Sequence, residues 1–414
     1  MLSLSEALAR ILAEAVPGEA IEVTLTEAQG LVLAEDLIAD VDLPPFDRAG
    51  YDGYAAKAID LEPGTSLDVI VPKKGSRSGG AKTAELTLDR GETTHVAAGD
   101  PMPVGADTVV RTEDSRPEPG VGAPREIVVL KASTTGQSVV PRGYFLKAGT
   151  RIASAGTRLK LPMVGLLAAE GCVHPLCHRR ARVAVLSVGD HLVGPGEAPV
   201  MHRERNAAGP TVVAPCLQWG ATAHDLGVVS ERELPAALDR ALTAPVVVVL
   251  GEPEGVIPRA FKKAKIEPVF EGVSLHPGKR ISYGVVRDNA GRTLHHVFQM
   301  APNPVGVLAG VALLLGPLIA RLHGGSQIEG PKMRAVWTGP QHRPTDDRLW
   351  AVPVTLSLDD TARVCASAIQ YRGKDDLFGF STAEALALLP PRSGPWDDGD
   401  VVDVVSLATG DGLI

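Results

Sequence analysis

Three polar turns, two of them with glycine, each follow a predicted buried strand and carry groups that could bind an anion or a metal. They are residues 187–190 (SVGD), 250–255 (LGEPEG) and 299–304 (QMAPNP). Glycine lets the backbone approach a ligand closely, and consecutive amides can form an anion-binding nest. Similar turns also serve as plain strand–helix connections, so both interpretations stay open at this point.

The turn at residues 276–280 (HPGKR) places two cations just before a predicted strand. Arg280 could hold an oxyanion through its bidentate fork, and Lys279 could act as a point charge. An exposed charge pair is the ordinary interpretation of a Lys-Arg dipeptide. At the rim of a sheet, the same pair would favour binding of phosphate or another oxyanion.

The segment at residues 42–55 (DLPPFDRAGYDGYA) combines prolines with carboxylates, an arginine, glycines and tyrosines. Neither helix nor strand formation requires this mixture, and binding and catalytic residues often lie in loops held by a rigid scaffold. We therefore expect a functional loop at a domain boundary.

Strands alternate with helices between residues 180 and 322, which predicts a parallel sheet covered on both faces. The predicted strands are 182–187, 222–228, 246–250 and 294–298, and the predicted helices are 209–219, 231–243 and 305–322. Ligands bind beyond the carboxyl ends of the strands in such sheets, so the polar turns should meet at one edge. Short β-rich runs at 53–149, among them 85–88, and after residue 324 predict two further β domains.

Composition restricts the class of protein. The chain has 414 residues, a net charge of −8 and 4% aromatic residues, which predicts several domains and no nucleic-acid partner. We expect no signal peptide, because residues 1–15 lack a basic stretch followed by an apolar run. We expect no transmembrane segment, because the longest apolar run is too short and contains Gly and Pro. Four cysteines in so long a chain favour a reducing cytoplasm. Cys172, His174, Cys177 and His178 suggest either a metal site or, more simply, a strand at a domain end.

Several motifs in one order resemble the molybdopterin molybdenumtransferases, the family of MoeA and the gephyrin E domain. The segment at 42–55 resembles the family's DLPPFDRSAMDGYA, and residues 99–114 (GDPMPVGADTVVRTED) resemble TGAPLPEGADAVV-VED. Residues 136–149 and 180–190 parallel GENVRPRGEDIKAG and RPRVAVLSTGDEL. Residues 276–279 stand at KPGK, residues 302–305 lie within GLPGNPVSA, and residues 377–390 resemble the family's C-terminal segment.

The resemblance implies a multidomain α/β and β protein, with a parallel molybdopterin-binding-like α/β domain and β-rich second and C-terminal domains. The implied boundaries are 1–48 with 147–178 for a discontinuous linker or dimerisation domain, 49–146 for the β-rich domain, 179–324 for the α/β domain and 325–414 for the C-terminal β domain. It also implies a homodimer that cleaves adenylylated molybdopterin and inserts molybdate between the dithiolene sulfurs, with Mg²⁺ as cofactor. The active cleft would lie between subunits.

The polar turns and the resemblance together give a set of candidate site residues. The catalytic candidates are Asp52, Asp190 and Lys279. The substrate-binding candidates are Ser187, Gly189, Gly251, Gly278, Arg280, Asn303 and Pro304. The metal-binding candidates are Asp190, Glu231, Glu252 and Glu254, because a hard cation prefers carboxylate oxygens.

Several positions depart from the family's pattern. Ala98 replaces a Thr, Tyr144 and Phe145 replace a Glu-Asp pair, and His191 replaces a Glu. The loop at 250–261 (LGEPEGVIPRAF) replaces the family's SGGVSVGDYD. Gly272 and His276 stand near two family lysines, and Ala301 stands at a proline.

These departures leave three hypotheses for function. The first is a divergent molybdopterin molybdenumtransferase, and the second is a catalytically impaired paralogue that acts as a binding or scaffold protein for a protein partner. The third is a related transferase with another pterin or oxyanion ligand, in which His191 and His276 would be new contacts. A dinucleotide-binding protein is disfavoured because no G-x-G-x-x-G follows a strand.

Overall fold

The computed structural model describes residues 1–71, 85–118, 124–325, 332–373, 375–391 and 394–407. The chain forms two compact units. One comprises Met1–Glu35, Ala155–Gly165 and Val173–Ile414, and the other comprises Asp36–Ser154 and Leu166–Cys172. We refer to them as the large and the small unit.

The helices begin with α1, where the capping box of Ser3 and Glu6 satisfies the first free amides. The helical spacing of Leu4, Leu8, Ile11 and Leu12 predicts a helix at about 5–16, and the structure confirms it with bounds Leu4–Glu14. The helices of the described residues are α1 (Leu4–Glu14), α2 (Leu25–Ala28), α3 (Leu161–Ala169), α4 (Ala208–Gln218), α5 (Leu234–Ala241), α6 (Val256–Lys263), α7 (Pro304–Gly310) and α8 (Gly316–Leu322), with a π turn at Val311–Leu315.

The small unit is built mainly from one six-stranded sheet. After β1 (Ala20–Glu22), which belongs to the large unit, its strands are β2 (Leu37–Ile38), β3 (Arg48–Ala49), β4 (Gly53–Ala56), β5 (Ser66–Val69), β6 (Glu92–Val96), β7 (Thr108–Arg111), β8 (Ser115–Pro117), β9 (Glu126–Val129), β10 (Val139–Val140) and β11 (Arg151–Ala153). The main sheet has the order β7-β4-β6-β5-β9-β8, and only β5 and β6 are parallel. The predicted β-rich segment is confirmed. The strand predicted at 85–88 is wrong, since only Thr87 makes an isolated bridge there.

The central sheet of the large unit has six strands. The chain continues with β12 (Leu176–His178), β13 (Arg182–Val188), β14 (Leu192–Val193), β15 (Glu204–Arg205), β16 (Thr222–Val229), β17 (Val246–Leu250), β18 (Glu267–Glu271), β19 (Leu275–His276), β20 (Ser282–Arg287) and β21 (Thr293–Met300). Strands β16, β13, β17 and β21 are parallel neighbours, whereas β20 and β18 continue the sheet antiparallel. The predicted parallel core is confirmed, and the antiparallel edge corrects the expectation of a wholly parallel sheet.

Helices cover both faces of this sheet. One face packs against residues of α1, α4, α7 and α8, and the other packs against α5 and α6. Strand β17 therefore consists of five buried apolar residues in a row, as expected for a strand covered on both sides. The stretch Pro304–Leu322 is long and apolar enough to cross a membrane, but 78% of it is buried inside the protein, as in the core helix of a globular domain.

The C-terminal strands form a second sheet in the large unit. They are β22 (Lys332–Thr338), β23 (Leu349–Leu358), β24 (Val364–Ala368), β25 (Ala385–Leu389) and β26 (Val401–Ser406). Their order is β23-β24-β22-β26-β25, and β25 also pairs with β23, so the strands close into a ring. Trp337 is fully buried in its core. The two-residue strand β19 pairs with the start of β23, which fixes this ring beside the 276–280 turn.

Candidate functional site

Strands β13, β17 and β21 end beside one another. Ser187 pairs with Leu250, and Leu250 pairs with Met300. Because these strands are parallel, the three polar turns start at neighbouring points of one sheet edge, as the sequence predicted. That edge is where open α/β sheets bind ligands.

Hydrogen bonds hold two of these turns in fixed positions. The Gly251 amide donates to the Met300 carbonyl at 3.0 Å, and the Gln299 side-chain amide donates to the Gly251 carbonyl at 2.6 Å. Ser282 in turn donates to the Gln299 oxygen at 3.0 Å. Gln299 is 1% exposed, so this buried bond network makes the edge rigid.

A cleft of about 250 Å³ lies at this edge, next to the 276–280 turn. Gly278 has φ +127°, and a Cβ there would lie 2.9 Å from a Leu275 methyl carbon. Only glycine fits that backbone without strain. The residues that line the cleft are His276, Pro277, Gly278, Lys279, Arg280, Ile281, Met300, Ala301, Asn303, Gly306 and Arg348. Of the candidates from the sequence, Gly278, Lys279, Arg280 and Asn303 are thus brought together.

The cations of the cleft differ in their partners. Arg280 pairs with Glu252 at 2.7 Å and with Glu254 at 3.4 Å. Arg348 pairs with Asp346. Lys279 is exposed, and no carboxylate in the described parts of the chain lies within ion-pair distance of its ammonium. Lys279 is therefore the cation most available to an anion that enters the cleft.

Four residues form a connected group on one wall of the cleft, which we call the His276 cluster: His276, Asp346, Arg348 and Trp350. The His276 ring stacks on Trp350, with 3.8 Å between centroids. Arg348 Nη2 lies 2.8 Å from His276 Nδ1. Burial, and then the nearby Arg348 guanidinium, lower the pKa of His276. Hydrogen bonds from Arg348 hold the pKa of Asp346 well below its usual range.

Asp346, Arg348 and Trp350 were not among the residues expected from the sequence. The signal is weak, because these residues lie in the separate β-rich segment predicted after residue 324. Only the pairing of β19 with β23 carries them to the α/β edge. Such a contact between distant segments leaves no local pattern.

The other candidates of the large unit do not line this cleft. Ser187 is 1% exposed, so a ligand could reach its hydroxyl only after rearrangement. Gly251 and Pro304 are buried, whereas Gly189 is partly exposed and donates its amide to the Val229 carbonyl at 3.1 Å. Asp190 is exposed at the end of β13.

Asn303, by contrast, lines the cleft, and its side chain caps α7 by accepting a hydrogen bond from the Gly306 amide at 2.9 Å.

The two histidines proposed as new contacts have different positions. His276 lines the cleft. His191 is exposed and lies 3.8 Å from the Glu204 carboxylate instead. Of the two, only His276 is thus in place to touch a ligand in this cleft.

The four carboxylates suggested as metal ligands do not form a ready-made centre. Within the described ranges, no group of three or more His, Cys, Asp or Glu side chains is placed to hold a metal ion. Glu231 lies exposed in the turn before α5, and the helix predicted from residue 231 begins only at Leu234. Glu252 and Glu254 are engaged with Arg280. These residues do not fit a preformed Mg²⁺ site. Cys177 and His178 lie in the short strand β12, where His178 contacts the Gly18 carbonyl at 2.8 Å.

Asp52 lies in the small unit. It is exposed, and its carboxylate accepts a hydrogen bond from the Ala98 amide at 2.7 Å. Tyr144 and Phe145 are also exposed there, at 67% and 63%. The small unit has an open depression of about 860 Å³, lined by Phe46, Asp47, Gly99, Asp100, Pro101, Met102, Pro103, Val104, Gly105 and Ala106. Its two carboxylates accept bonds from backbone amides, and its lining residues include no cation.

Comparison with known proteins bears on the identity of this site. Residues 2–171 match the family model for the MoeA N-terminal region (domain I and II). A molybdopterin molybdenumtransferase of Staphylococcus epidermidis is 24% identical over 414 residues, which are 98% of this chain and 95% of the relative. The solved structure of a molybdopterin biosynthesis MoeA protein from Pyrococcus horikoshii superposes with a TM-score of 0.81 at 25% identity, covering 99% of this chain and 100% of that one.

The molybdopterin molybdenumtransferase 1 of Mycobacterium tuberculosis is 30% identical over 343 residues. That alignment covers 77% of this chain and 78% of the relative. Sequence similarity and fold therefore agree over most of the chain, from the small unit through the α/β sheet that carries the cleft. The chain belongs to the MoeA family.

Proposed function

We propose that this protein acts in molybdenum cofactor biosynthesis as a molybdopterin molybdenumtransferase, which inserts molybdate into adenylylated molybdopterin. The observation that carries the proposal is the cationic cleft at the carboxyl edge of the α/β sheet, in a chain of the MoeA family. Both proposed substrates are anions, and fixed cations stabilise anions at a protein surface.

In this proposal, the cleft binds an oxyanion through Lys279 and Arg348. Lys279 offers an ammonium that pairs with no carboxylate among the described residues. Arg348 is oriented by Asp346, and no partner for its Nη1 is found in the described chain. A guanidinium edge and an ammonium together complement an oxyanion with several acceptor oxygens. Both cations would offset the negative charge of the adenylate and of molybdate.

The remaining candidates have proposed roles outside the cleft wall. Asp190 and Asp52 are the proposed catalytic carboxylates, which would orient the attacking oxygen or accept a proton. The sheet edge on which the substrate lies would be shaped by Gly189, Gly251 and Pro304. The buried Ser187 would pack beneath this edge. The assignments of Asp190 and Asp52, which are both exposed, predict a loss of transfer when either carboxylate is replaced by an amide, with the fold intact.

Magnesium is proposed only as a companion of the substrate. Mg²⁺ keeps several waters and is commonly held by one or two carboxylates together with substrate phosphates. The described carboxylates form no cage for it, so no step of this proposal depends on a bound metal ion. A homodimer and a cytoplasmic location complete the proposal, and light scattering on the purified chain tests the dimer.

A direct assay tests the function. Purified protein is supplied with adenylylated molybdopterin and molybdate, and the product is used to activate a molybdoenzyme that lacks its cofactor. Expression in a bacterial strain without its own transferase provides a second readout. We expect activation and restored growth on a molybdoenzyme-dependent substrate. A folded protein that neither binds adenylylated molybdopterin nor restores the strain refutes the proposal.

A further inference from the structure

His276 is the one histidine among the lining residues of the cleft, and its ring is held on two sides. The Trp350 indole lies parallel to it, with an interplanar angle of 15°. Arg348 reaches its Nδ1 atom at 2.8 Å. A ring fixed in this way presents its remaining nitrogen, Nε2, in a defined direction.

The chemistry of arginine decides the protonation of this ring. A guanidinium has only donors and stays protonated in proteins. The bond between Arg348 and His276 therefore requires Nδ1 to be an acceptor with no proton. A neutral imidazole that accepts at Nδ1 must carry its proton on Nε2. His276 is thus neutral and offers one N–H donor.

The partners of this bond are themselves fixed. Arg348 donates from Nε to Asp346 at 2.9 Å and from Nη2 to the same carboxylate oxygen. Trp350 donates from Nε1 to the other oxygen of Asp346 at 3.2 Å. The indole that stacks on His276 therefore also anchors the carboxylate that orients Arg348. The His276 cluster is closed on itself, which favours a single arrangement of its members.

We propose that His276 is a specificity-determining residue of the cleft, which donates from Nε2–H to an oxygen of a bound oxyanion. Asp346 and Trp350 are positioning residues that hold the His276–Arg348 pair. This proposal rests on the proposed function for the class of ligand. It adds that one wall of the cleft recognises the ligand through a neutral donor beside a cation.

A lysine at position 276 would not be equivalent. An ammonium has no lone pair, so it could not accept from Arg348 and would place a second positive charge next to the guanidinium. Arg348 Nη2 would then keep its bond to Asp346 but lose its bond to position 276. A neutral acceptor at this position and an arginine at position 348 therefore act as one unit.

The first experiment measures the tautomer directly. Long-range ¹H–¹⁵N correlation spectra of the intact protein at pH 8 distinguish the two neutral forms of each histidine, and His276→Gln assigns the signal. We expect the Nε2–H form for His276. His323 and His295 are internal controls for the opposite form, because His323 Nε2 accepts from the Ala181 amide and His295 Nδ1 contacts a backbone carbonyl. An Nδ1–H form or an imidazolium for His276 overturns the proposal.

The second experiment adds sodium molybdate, or inorganic phosphate in a parallel titration. We expect the His276 Nε2 signal to shift as either anion binds, while the His323 and His295 signals stay in place. His276→Phe keeps a ring over Trp350 but removes both nitrogens, and it should lower anion affinity at least about tenfold. His276→Gln keeps a neutral donor and acceptor and should recover most of that loss.

Two results separate this proposal from the proposed function. If the protein transfers molybdenum but neither anion shifts the His276 signal, His276 is not a ligand contact. If molybdate binds through His276 but no transfer occurs, the proposed transferase activity fails alone. Folded protein that binds neither anion also overturns the role of His276, as does equal affinity of His276→Phe and the unmodified chain.

Discussion

Replacement of Lys279 by Ala should reduce molybdenum transfer without unfolding the protein. Lys279 is exposed and lines the cleft, so loss of its side chain leaves no cavity in the core. Among the cations of the cleft, it is the one whose charge no described carboxylate offsets. Its full charge is therefore available to the substrate anion.

The size of this effect follows from its position. One well-placed contact to developing charge is typically worth about a hundredfold or more in rate inside a dry site. The cleft is open to water on the side of Lys279, and solvent screening weakens the contact of an exposed charge. We therefore expect a fall in kcat/KM of roughly thirtyfold. The fall should shrink at higher ionic strength, since the interaction is screened.

The assay compares kcat/KM for adenylylated molybdopterin in Lys279→Ala and in a matched control. Lys262→Ala removes the same charge from the exposed last turn of α6, away from the residues that line the cleft. It should change kcat/KM by less than twofold. If both variants lose activity equally, the effect reports the net charge of the protein and our reasoning about the cleft is wrong. The same conclusion follows if neither loses activity.

Four further predictions address charge, packing and pH. The double variant Glu252→Gln, Glu254→Gln leaves the Arg280 guanidinium without its two carboxylate partners. The affinity for molybdate should therefore rise several-fold in a titration and fall again with added salt. An unchanged or lower affinity contradicts this prediction. Gly53→Ala should cost more than about 3 kcal/mol of unfolding free energy, because its Cβ would overlap the Val110 carbonyl oxygen. Gly165→Ala in α3 meets no atom within 4 Å, so it should leave the unfolding free energy unchanged or raise it by up to about 1 kcal/mol. Denaturant unfolding of both variants checks the difference, and an equal effect of the two contradicts it. Trp337→Ala should lower the unfolding free energy by about 4 kcal/mol, since Trp337 is fully buried in the C-terminal ring; a loss below about 1 kcal/mol would mean that this core is not packed as described. Hydrogen bonding by Arg287 lowers the pKa of Glu14. The Glu14–Arg287 pair therefore contributes about 1 to 2 kcal/mol to the unfolding free energy above pH 4.5, and this contribution is lost as the pH falls through the lowered pKa. Glu14→Gln should make the unfolding free energy less dependent on pH in this acid range than it is in the exposed control Glu19→Gln.

The sequence was sufficient for the parts of the fold that depend on local pattern. The apolar run of β17 and the helix over α1 follow from burial and capping in their own segments. The helix α6 was missed because Pro258 falls within it. It is the third residue of the helix, where its missing amide has no partner to lose. The antiparallel strand β18 was missed because it alternates only weakly, with four of its five residues exposed or partly exposed.

The cleft itself was only half predictable. Gly278, Lys279, Arg280 and Asn303 occur in two turns of the α/β segment and could be named from the sequence. Arg348 and Trp350 are brought to the cleft by the two-residue pairing of β19 with β23. No periodicity in the sequence indicates such a pairing. Ser187 shows the opposite failure. Its place at a strand end suggested a ligand contact, but the strand's last side chains are buried.

Arg280 explains why a motif cannot be translated into a site one residue at a time. The loop at 250–261 offers Glu252 and Glu254 in place of the family's aspartate, and the sequence suggested them as metal ligands. In the folded chain, they bind the guanidinium of Arg280. Neither the metal binding expected of these carboxylates nor the anion binding expected of Arg280 is then directly available. A cation would have to displace Arg280 to reach these carboxylates, and an anion would have to compete with them for Arg280. The binding capacity of the cleft is thereby shifted to Lys279, whose charge no described carboxylate offsets, and to the His276 cluster, for which we propose a fixed neutral donor beside Arg348.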